Sequence, residues 1–369
     1  MRVLFISHAY PPTVGGVENH NYELSAWLAK ISETTTIANK KGKKFLPIFM
    51  PYALIKSLLV LPKFDVILLG NGLLSHIGWI LKIIYRKPVV AVLHGLDLTF
   101  KNRFYQAFWV GFFIKRMDKL VAVGNETVRV AERKGIAPER LVFIPNGIDT
   151  EKYSGNFSRN DLERLLGEDL SGKKILLTSG RLAKRKGVAW FVRNVLPKLD
   201  GNIIYVIAGD GNDKDNVKVA ISESKMDNRT RMLGYVTDKE RDLLFHTCDI
   251  FIQPNIKIHG DMEGFGISVI EAAYCGIPVI AAKLEGLQDA IFDGQNGFLV
   301  EPEDADSYAL KINELLGNEV FRKEFGKRAS RFVADNFSWE KISQKYLAEI
   351  EKAVSDSRIK TNEEIKTHV

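Results

Sequence analysis

Along this chain, short solid hydrophobic runs alternate with longer stretches that are apolar on one side only. That rhythm belongs to parallel sheets joined by helical crossovers. Runs rich in β-branched residues predict strands at Val3–Ser7, Thr34–Ala38, Val66–Leu69, Val89–Leu93, Lys119–Val123 and Leu141–Ile144. The stretches between them predict helices over Val17–Lys30, Leu73–Ile84, Phe100–Arg116 and Glu126–Lys134. The pattern then restarts, with strands expected at Lys174–Ser179, Ile203–Ala208, Arg231–Leu233, Ile250–Gln253, Val279–Ala282 and Phe298–Val300. The turn-forming Pro145-Asn146-Gly147-Ile148-Asp149 and the polar Lys152–Asp161 separate the two series.

The expected architecture is therefore α/β, with two tandem Rossmann-like doubly wound parallel-sheet domains facing a cleft, 1–150 and 151–337. A closing helix at 338–354, returning to the first domain, and a polar tail at 355–369 complete the chain. In such folds ligands bind where the carboxyl ends of the strands meet the cleft.

Composition narrows the picture without deciding it. With 369 residues, 46% of them hydrophobic, the chain can bury two ordinary cores. Residues 66–81 are apolar enough to suggest a membrane span, but Gly70-Asn71-Gly72 and His76 interrupt them, which favours strand, turn and helix. The first apolar run, Val3–Ser7, is too short for the hydrophobic region of a signal peptide, so a cytoplasmic protein is expected. Cys248 and Cys275 have no CxxC spacing and read as thiols of a reducing compartment.

Charge is uneven. Residues 1–150 carry 20 Lys and Arg against 10 Asp and Glu, whereas the remainder is slightly acidic. A basic first half suits an anionic partner, either a phosphorylated substrate or an anionic membrane surface. Nucleic acid is disfavoured, because charge alone supports it.

The candidate chemistry sits at expected strand ends. Arg181 and Lys186 follow the first strand of the second series, where two cations can neutralise a diphosphate. A solvated basic run through Lys184-Arg185-Lys186 is the plain alternative. Gly15-Gly16 lies between a strand and a helix, as a structural turn or as backbone amides offered to a phosphate. His94 ends the solid strand Val89–Leu93; Asp97, just beyond it, reads equally well as a helix cap. Glu263 lies in a loop and Glu271 inside the helix that follows, with Gly264 and Gly266 permitting close backbone approach. A carboxylate in either place can accept hydrogen bonds from sugar or ribose hydroxyls.

The segment Glu263-Gly264-Phe265-Gly266-Ile267-Ser268-Val269-Ile270-Glu271, followed by Gly276-Ile277-Pro278-Val279-Ile280, resembles the E-x7-E signature of the retaining glycosyltransferases of family 4, which have the GT-B fold. Gly15-Gly16-Val17-Glu18 resembles that family's amino-terminal glycine loop, and His94-Gly95-Leu96-Asp97 its histidine motif. Pro145–Asp149, Gly180-Arg181-Leu182 with Lys186-Gly187, and Gly209-Asp210-Gly211 follow in the family's order. The resemblance implies a UDP- or GDP-sugar donor and a glycan or lipid-linked acceptor. It implies donor contacts from Gly15, Gly16, Arg181, Lys186, Gly209, Gly264, Phe265, Gly266, Ile267 and Glu271. It implies catalytic roles for His94, Glu263, Arg181 and Lys186, and no metal or other cofactor. A nucleotide-sugar epimerase of the same architecture is the nearest alternative. A nicotinamide-dependent oxidoreductase lacks its glycine fingerprint here.

Two segments of the first half bear on the acceptor. Aromatic residues crowd Phe100–Arg116, and lysines from Asn39 to Lys44 precede an apolar run ending at Leu61. Both suit a membrane interface, and both equally suit a domain core.

Overall fold

The computed structural model describes residues 1–13 and 15–367, with side chains described through Ile359. All twelve expected strands are present, within two residues at each end. In the first unit, β1 (Arg2–Ser7), β2 (Glu33–Ala38), β3 (Val66–Leu69), β4 (Val89–Leu93), β5 (Lys119–Ala122) and β6 (Leu141–Phe143) form one parallel sheet in the order β2-β1-β3-β4-β5-β6. In the second, β7 (Lys174–Ser179), β8 (Ile203–Ala208), β9 (Thr230–Gly234), β10 (Ile250–Gln253), β11 (Val279–Ala282) and β12 (Phe298–Val300) are ordered β12-β11-β10-β7-β8-β9. Strand order reverses between β1 and β3 in one sheet and between β7 and β10 in the other. Those two switch points are where this topology opens a crevice for a ligand.

The strands are solid apolar runs because each sheet is covered on both faces. In the first unit, Leu4, Ile6, Ile67, Leu69, Ala91 and Leu93 point to one core. Their neighbours Val3, Phe5, Val66, Leu68, Val90 and Val92 point to the other. Helix α1 (Gly16–Ile31) covers the second core through Leu24 and Leu28, whereas α2 (Leu46–Val60) and α3 (Ser75–Tyr85) cover the first. The second unit packs Leu176, Tyr205, Ile207, Ile252 and Ile280 against helices that include Val188–Asn194 and Ala305–Gly317.

By its packing the chain divides into Met1–Gly147 with Trp339–Val369, and Ile148–Ser338. Trp339, Ile342, Tyr346 and Ile350 of the last helix fill the core beside β1 and β4, so the carboxyl-terminal segment belongs to the first unit. Gly147 is required there, since a Cβ on it would stand 2.7 Å from the Trp339 ring.

Two expectations need correction. The tail assigned to 355–369 is not separate, because the last helix runs on from Trp339 to Thr367; no glycine or proline interrupts it, and a nucleated helix propagates cheaply. Val14, His368 and Val369 lie outside the described residues. Phe100–Arg116 is not one α-helix either. Its centre, Tyr105–Phe113, is a π-helix, with Tyr105 stacked on Trp109 and Trp109 donating to the Leu73 carbonyl at 2.9 Å. Rings at Trp109, Phe112 and Phe113 wedge against His76 and Trp79 of α3. Within Tyr105–Phe113 Gln106 is the one strongly polar residue, and a single polar position cannot mark which helical period is used.

Candidate active site

At the switch point of the second unit, two loops are stitched together by backbone and charge. The loop after β7 carries Gly180 to Gly187, and the loop after β10 carries Pro254 to Gly266. Gly187 adopts φ 67°, and a Cβ there would lie 1.8 Å from the Pro254 carbonyl oxygen. Only glycine lets these loops meet at that point. Next to it, the Ile256 amide donates to the Arg185 carbonyl at 2.9 Å.

Lys186 Nζ then reaches Glu263 Oε2 at 2.6 Å, with Arg185 Nε at 3.7 Å and the Asn255 amide donating at 3.1 Å. Glu263 is buried. Burial alone would raise its pKa, but Lys186, Arg185 and Asn255 together hold the carboxyl below the ordinary value. Glu263 is thus a charged, tightly held carboxylate. Glu285 accepts from the Glu263 backbone amide at 2.7 Å, and its own carboxyl is raised by burial and by the Glu263 charge.

This revises the reading of Lys186. The sequence presents it as a free cation for a phosphate, whereas the fold pairs it with the catalytic candidate Glu263. Arg181, by contrast, stands exposed at the end of β7, with no ion pair among the described residues. Its guanidinium is available to an anion.

Gly209 and Gly211 follow β8 and lie against the same region. A Cβ on Gly209 would fall 1.9 Å from the Gly180 carbonyl oxygen, and one on Gly211 2.1 Å from that of Leu182. Loop contact alone accounts for both glycines.

The helix after Glu263 spans Ile267–Tyr274 and starts at Gly266, which has φ 82°. A Cβ on Gly266 would stand 2.6 Å from Leu287. Gly264 is exposed and Ile267 half-buried, so their backbone amides lie at the open end of this helix. Phe265 is different: its side chain is buried, 5.9 Å from the Phe337 ring, so it has only backbone to offer a donor.

Glu271 is held by partners that no motif announced. Tyr153 gives it a hydrogen bond, and the Arg241 guanidinium faces both residues. Burial, then the Glu271 charge, pushes the Tyr153 hydroxyl far above its ordinary value, so it stays protonated, donating to Glu271 while its oxygen accepts from Arg241. Behind them, Asp242, His246 and Cys275 place one ligand atom each within 4.8 Å of one another. His246 already faces Asp242 at 3.0 Å, and burial raises the Cys275 thiol, which keeps it protonated and a poor metal ligand.

At the switch point of the first unit, His94 ends β4 and is half-buried. Its Nε2 lies 3.1 Å from the Gly70 carbonyl, and a carbonyl only accepts, so Nε2 carries the proton and Nδ1 presents a lone pair. Burial pushes His94 down to about 4. Asp97 does not cap the following helix. Its carboxylate turns back to accept from the His94 amide at 2.9 Å and from the Gly72 amide, which fixes the turn after β4.

His8 and Asn71, 3.1 Å apart, complete this polar cluster at the ends of β1 and β3. Gly15 precedes α1 in extended backbone, and the Glu18 carboxylate folds over it, near enough for its charge to act on His94. Gly16 is exposed at the first turn of α1. The sequence offered a signal for His8 and Asn71, since both directly follow strands; Tyr153, Asn255 and Arg241 carried none.

Asn146 of the Pro145–Asp149 stretch has a structural duty, its Oδ1 accepting from His20 Nδ1 at 2.6 Å in a buried site. His20 also packs against Trp339 and Tyr346 of the last helix.

Comparison with known proteins agrees with this fold. The family described as Glycosyl transferases group 1 matches residues 167–332, and that described as Glycosyltransferase Family 4 matches residues 31–152. An uncharacterized glycosyltransferase of Methanocaldococcus jannaschii is 24% identical over 93% of this chain and 96% of its own. The crystal structure of Anabaena HepE in complex with UDP and glucose superposes with a TM-score of 0.74 at 21% identity, covering 95% of this chain and all of that one. Sucrose-phosphate synthase from Thermosynechococcus elongatus gives 0.78 at 17% identity, over 96% of this chain and 99% of its own. At such identities the structural likeness establishes the fold.

Proposed function

The chain belongs to the group 1 glycosyltransferases of family 4, with the GT-B fold, and we propose that it moves a hexose or hexosamine, with retention, from a UDP- or GDP-sugar to a glycan or lipid-linked acceptor. The product would serve cell-surface polysaccharide or glycolipid synthesis. One observation carries the reading. Where β7 and β10 diverge, the loop after β7 carries the exposed Arg181, and its Lys186 pairs with Glu263 just ahead of the helix bearing Glu271.

In this reading Arg181 and the helix-end amides receive the diphosphate, and Lys186 sits behind it, kept extended by Glu263. Glu271, oriented by Tyr153 and Arg241, accepts both ribose hydroxyls. The leaving group is already a good one once its charge is met, so the work of the site is electrostatic and needs no metal. Retention suits a front-face path. The bond from C1 to the diphosphate breaks as the acceptor oxygen bonds to C1 on the same side, and the leaving phosphate takes the acceptor's proton. Glu263 as a covalent nucleophile is the competing path; its Oε2 is taken up by Lys186 and Asn255, which leaves only Oε1 for that role.

His94, neutral and proton-bearing at Nε2, would line the sugar side of the reaction. Nucleotide sugars and free thiols at Cys248 and Cys275 both suit a cytoplasmic enzyme working at the inner face of the membrane. HepE was crystallised with UDP and with UDP-glucose, which makes UDP the first donor base to test.

The test is a thermal-shift panel of UDP, GDP and ADP, followed by hydrolysis of the matching sugar nucleotides. Saturation at a hundredfold over Kd should add about 2.7 kcal/mol of stability. If none of the three raises Tm and no sugar nucleotide is turned over, the reading fails. Turnover to a free epimer without an acceptor would favour the epimerase instead.

A further inference from the structure

The helix α2 is apolar on every side, yet only one side is covered. Phe49, Ala53 and Ser57 are buried, Phe49 and Ala53 in the first unit's core, where the helix packs beside α3, and the Tyr85 hydroxyl donates to the Leu58 carbonyl at 2.7 Å. The opposite side carries Ile48, Tyr52, Ile55 and Leu59, exposed by 67, 50, 59 and 77%. Their spacing of four, three and four places them in a single stripe. Nothing polar interrupts that stripe. Its one charged neighbour, Lys56, lies with Nζ 3.1 Å from the Tyr52 hydroxyl.

A helix hydrophobic all round belongs either inside a core or in lipid. From Lys43 to Lys63 this segment is long and apolar enough to cross a membrane, with a mean hydropathy of 1.7, and only 22% of it is buried. It cannot span one, because its other face is anchored in the sheet's core through Phe49, Ala53 and Leu61. It can only lie flat.

The surrounding charge says what it would lie on. Between Glu33 and Asp65 there is no acidic residue, and there are six lysines: 40, 41, 43, 44, 56 and 63. Lys41, Lys43 and Lys44 stand exposed just before the helix, and Lys63 just after it. An apolar stripe bordered by unopposed lysines matches the boundary of an anionic bilayer, where acyl chains meet phosphates. The π-helix, which also packs on α3, adds exposed Phe108, and the residue before it adds exposed Phe104.

We propose that the exposed Ile48–Tyr52–Ile55–Leu59 face of α2, flanked by Lys41, Lys43, Lys44 and Lys63, is an in-plane docking surface for an anionic lipid bilayer. This rests on the reading of the enzyme as one that works at a membrane face, and it makes no use of the donor site. A lipid-linked acceptor would then be delivered to the unit that carries His94.

The experiment is sedimentation of the full chain with vesicles of phosphatidylcholine alone or mixed with phosphatidylglycerol, at low and raised salt. The chain should pellet with the mixed vesicles at low salt, and much less with phosphatidylcholine or at raised salt. The triple variant Ile48→Ser, Ile55→Ser, Leu59→Ser should lose at least tenfold in apparent lipid affinity. Its Tm and the shift produced by UDP or GDP should be unchanged, since none of these three side chains is buried. A chain that stays in solution with mixed vesicles at low salt overturns the proposal, and so does a triple variant that pellets as the parent does. Self-association without lipid that the triple variant abolishes, with no recruitment to vesicles, assigns the face to a second copy and also overturns it. Retained nucleotide binding in any of these cases separates a failure here from a failure of the glycosyltransferase reading.

Discussion

Lys186 Nζ stands 2.6 Å from Glu263 Oε2, so the cation that follows β7 and the carboxylate that follows β10 are two halves of one contact across the switch point. Both side chains are largely sheltered from water. Removing one partner of a buried ion pair leaves the other uncompensated, at about 3–5 kcal/mol. We expect Glu263→Gln and Lys186→Met each to lower stability by several kcal/mol, and the double variant to recover part of the loss. A double-mutant cycle read by urea unfolding checks this; strict additivity would show that the pair is not coupled.

The same pair sets an acid limit. Because the folded-state value of Glu263 is depressed, its stabilisation is complete above the ordinary glutamate value of about 4.3 and is lost as pH falls through the lower folded value. The Tm gap between the parent and Glu263→Gln should therefore be constant near neutrality and close on acidification below that range.

Arg181 is exposed and unpaired among the described residues, so its loss should leave the unfolding free energy within about 0.5 kcal/mol of the parent's. A charge-assisted bond to a diphosphate contributes about 1.5–3 kcal/mol, which corresponds to roughly a ten- to hundredfold loss of kcat/KM in Arg181→Ala. Near-parental kinetics with an intact fold would remove Arg181 from the site.

Tyr153 acts through Glu271. Tyr153→Phe keeps the ring and deletes the hydrogen bond, so KM for the donor should rise about fivefold while kcat changes little, in line with about 1 kcal/mol for one such bond. Glu271→Gln should cost more in the same direction. A kcat effect without a KM effect would place Tyr153 elsewhere in the reaction.

His8, His20 and His94 are all lowered, in each case chiefly by burial. A histidine depressed in the folded state has no pH-dependent effect above its unfolded value of about 6.5; below that the unfolded chain takes up the proton first, and stability falls. For His94 the loss levels off near 4. The first unit should therefore lose stability steadily between those values, with His20→Gln flattening part of the slope. Ring resonances of His94 should not titrate between pH 5 and 8, as about 4 is its folded value.

Most of the fold was legible in the residue order. A strand covered on both faces must be a continuous apolar run, and Gly-Asn-Gly or Pro-Asn-Gly must end it; both are local facts, and they located β1 to β12. The glycines at 187, 209 and 266 were legible as well, though the reason differed from the expected one. They are there because loops meet at Pro254, Gly180 and Leu287. Helices were less legible where polar residues gave no phase, as in Tyr105–Phe113.

What the sequence determined by itself was the succession of strands, the two sheets and the family motifs, because these depend on neighbours a few residues apart. Tertiary structure alone decided that Lys186 faces Glu263, that Tyr153 and Arg241 hold Glu271, and that one side of α2 is left bare. Each of these joins groups far apart in the chain, or separates two equally apolar faces of one helix. Periodicity carries no information on either, since a side chain's partner is set by where the sheet brings distant loops together, and a face is bare only because nothing else in the fold reaches it.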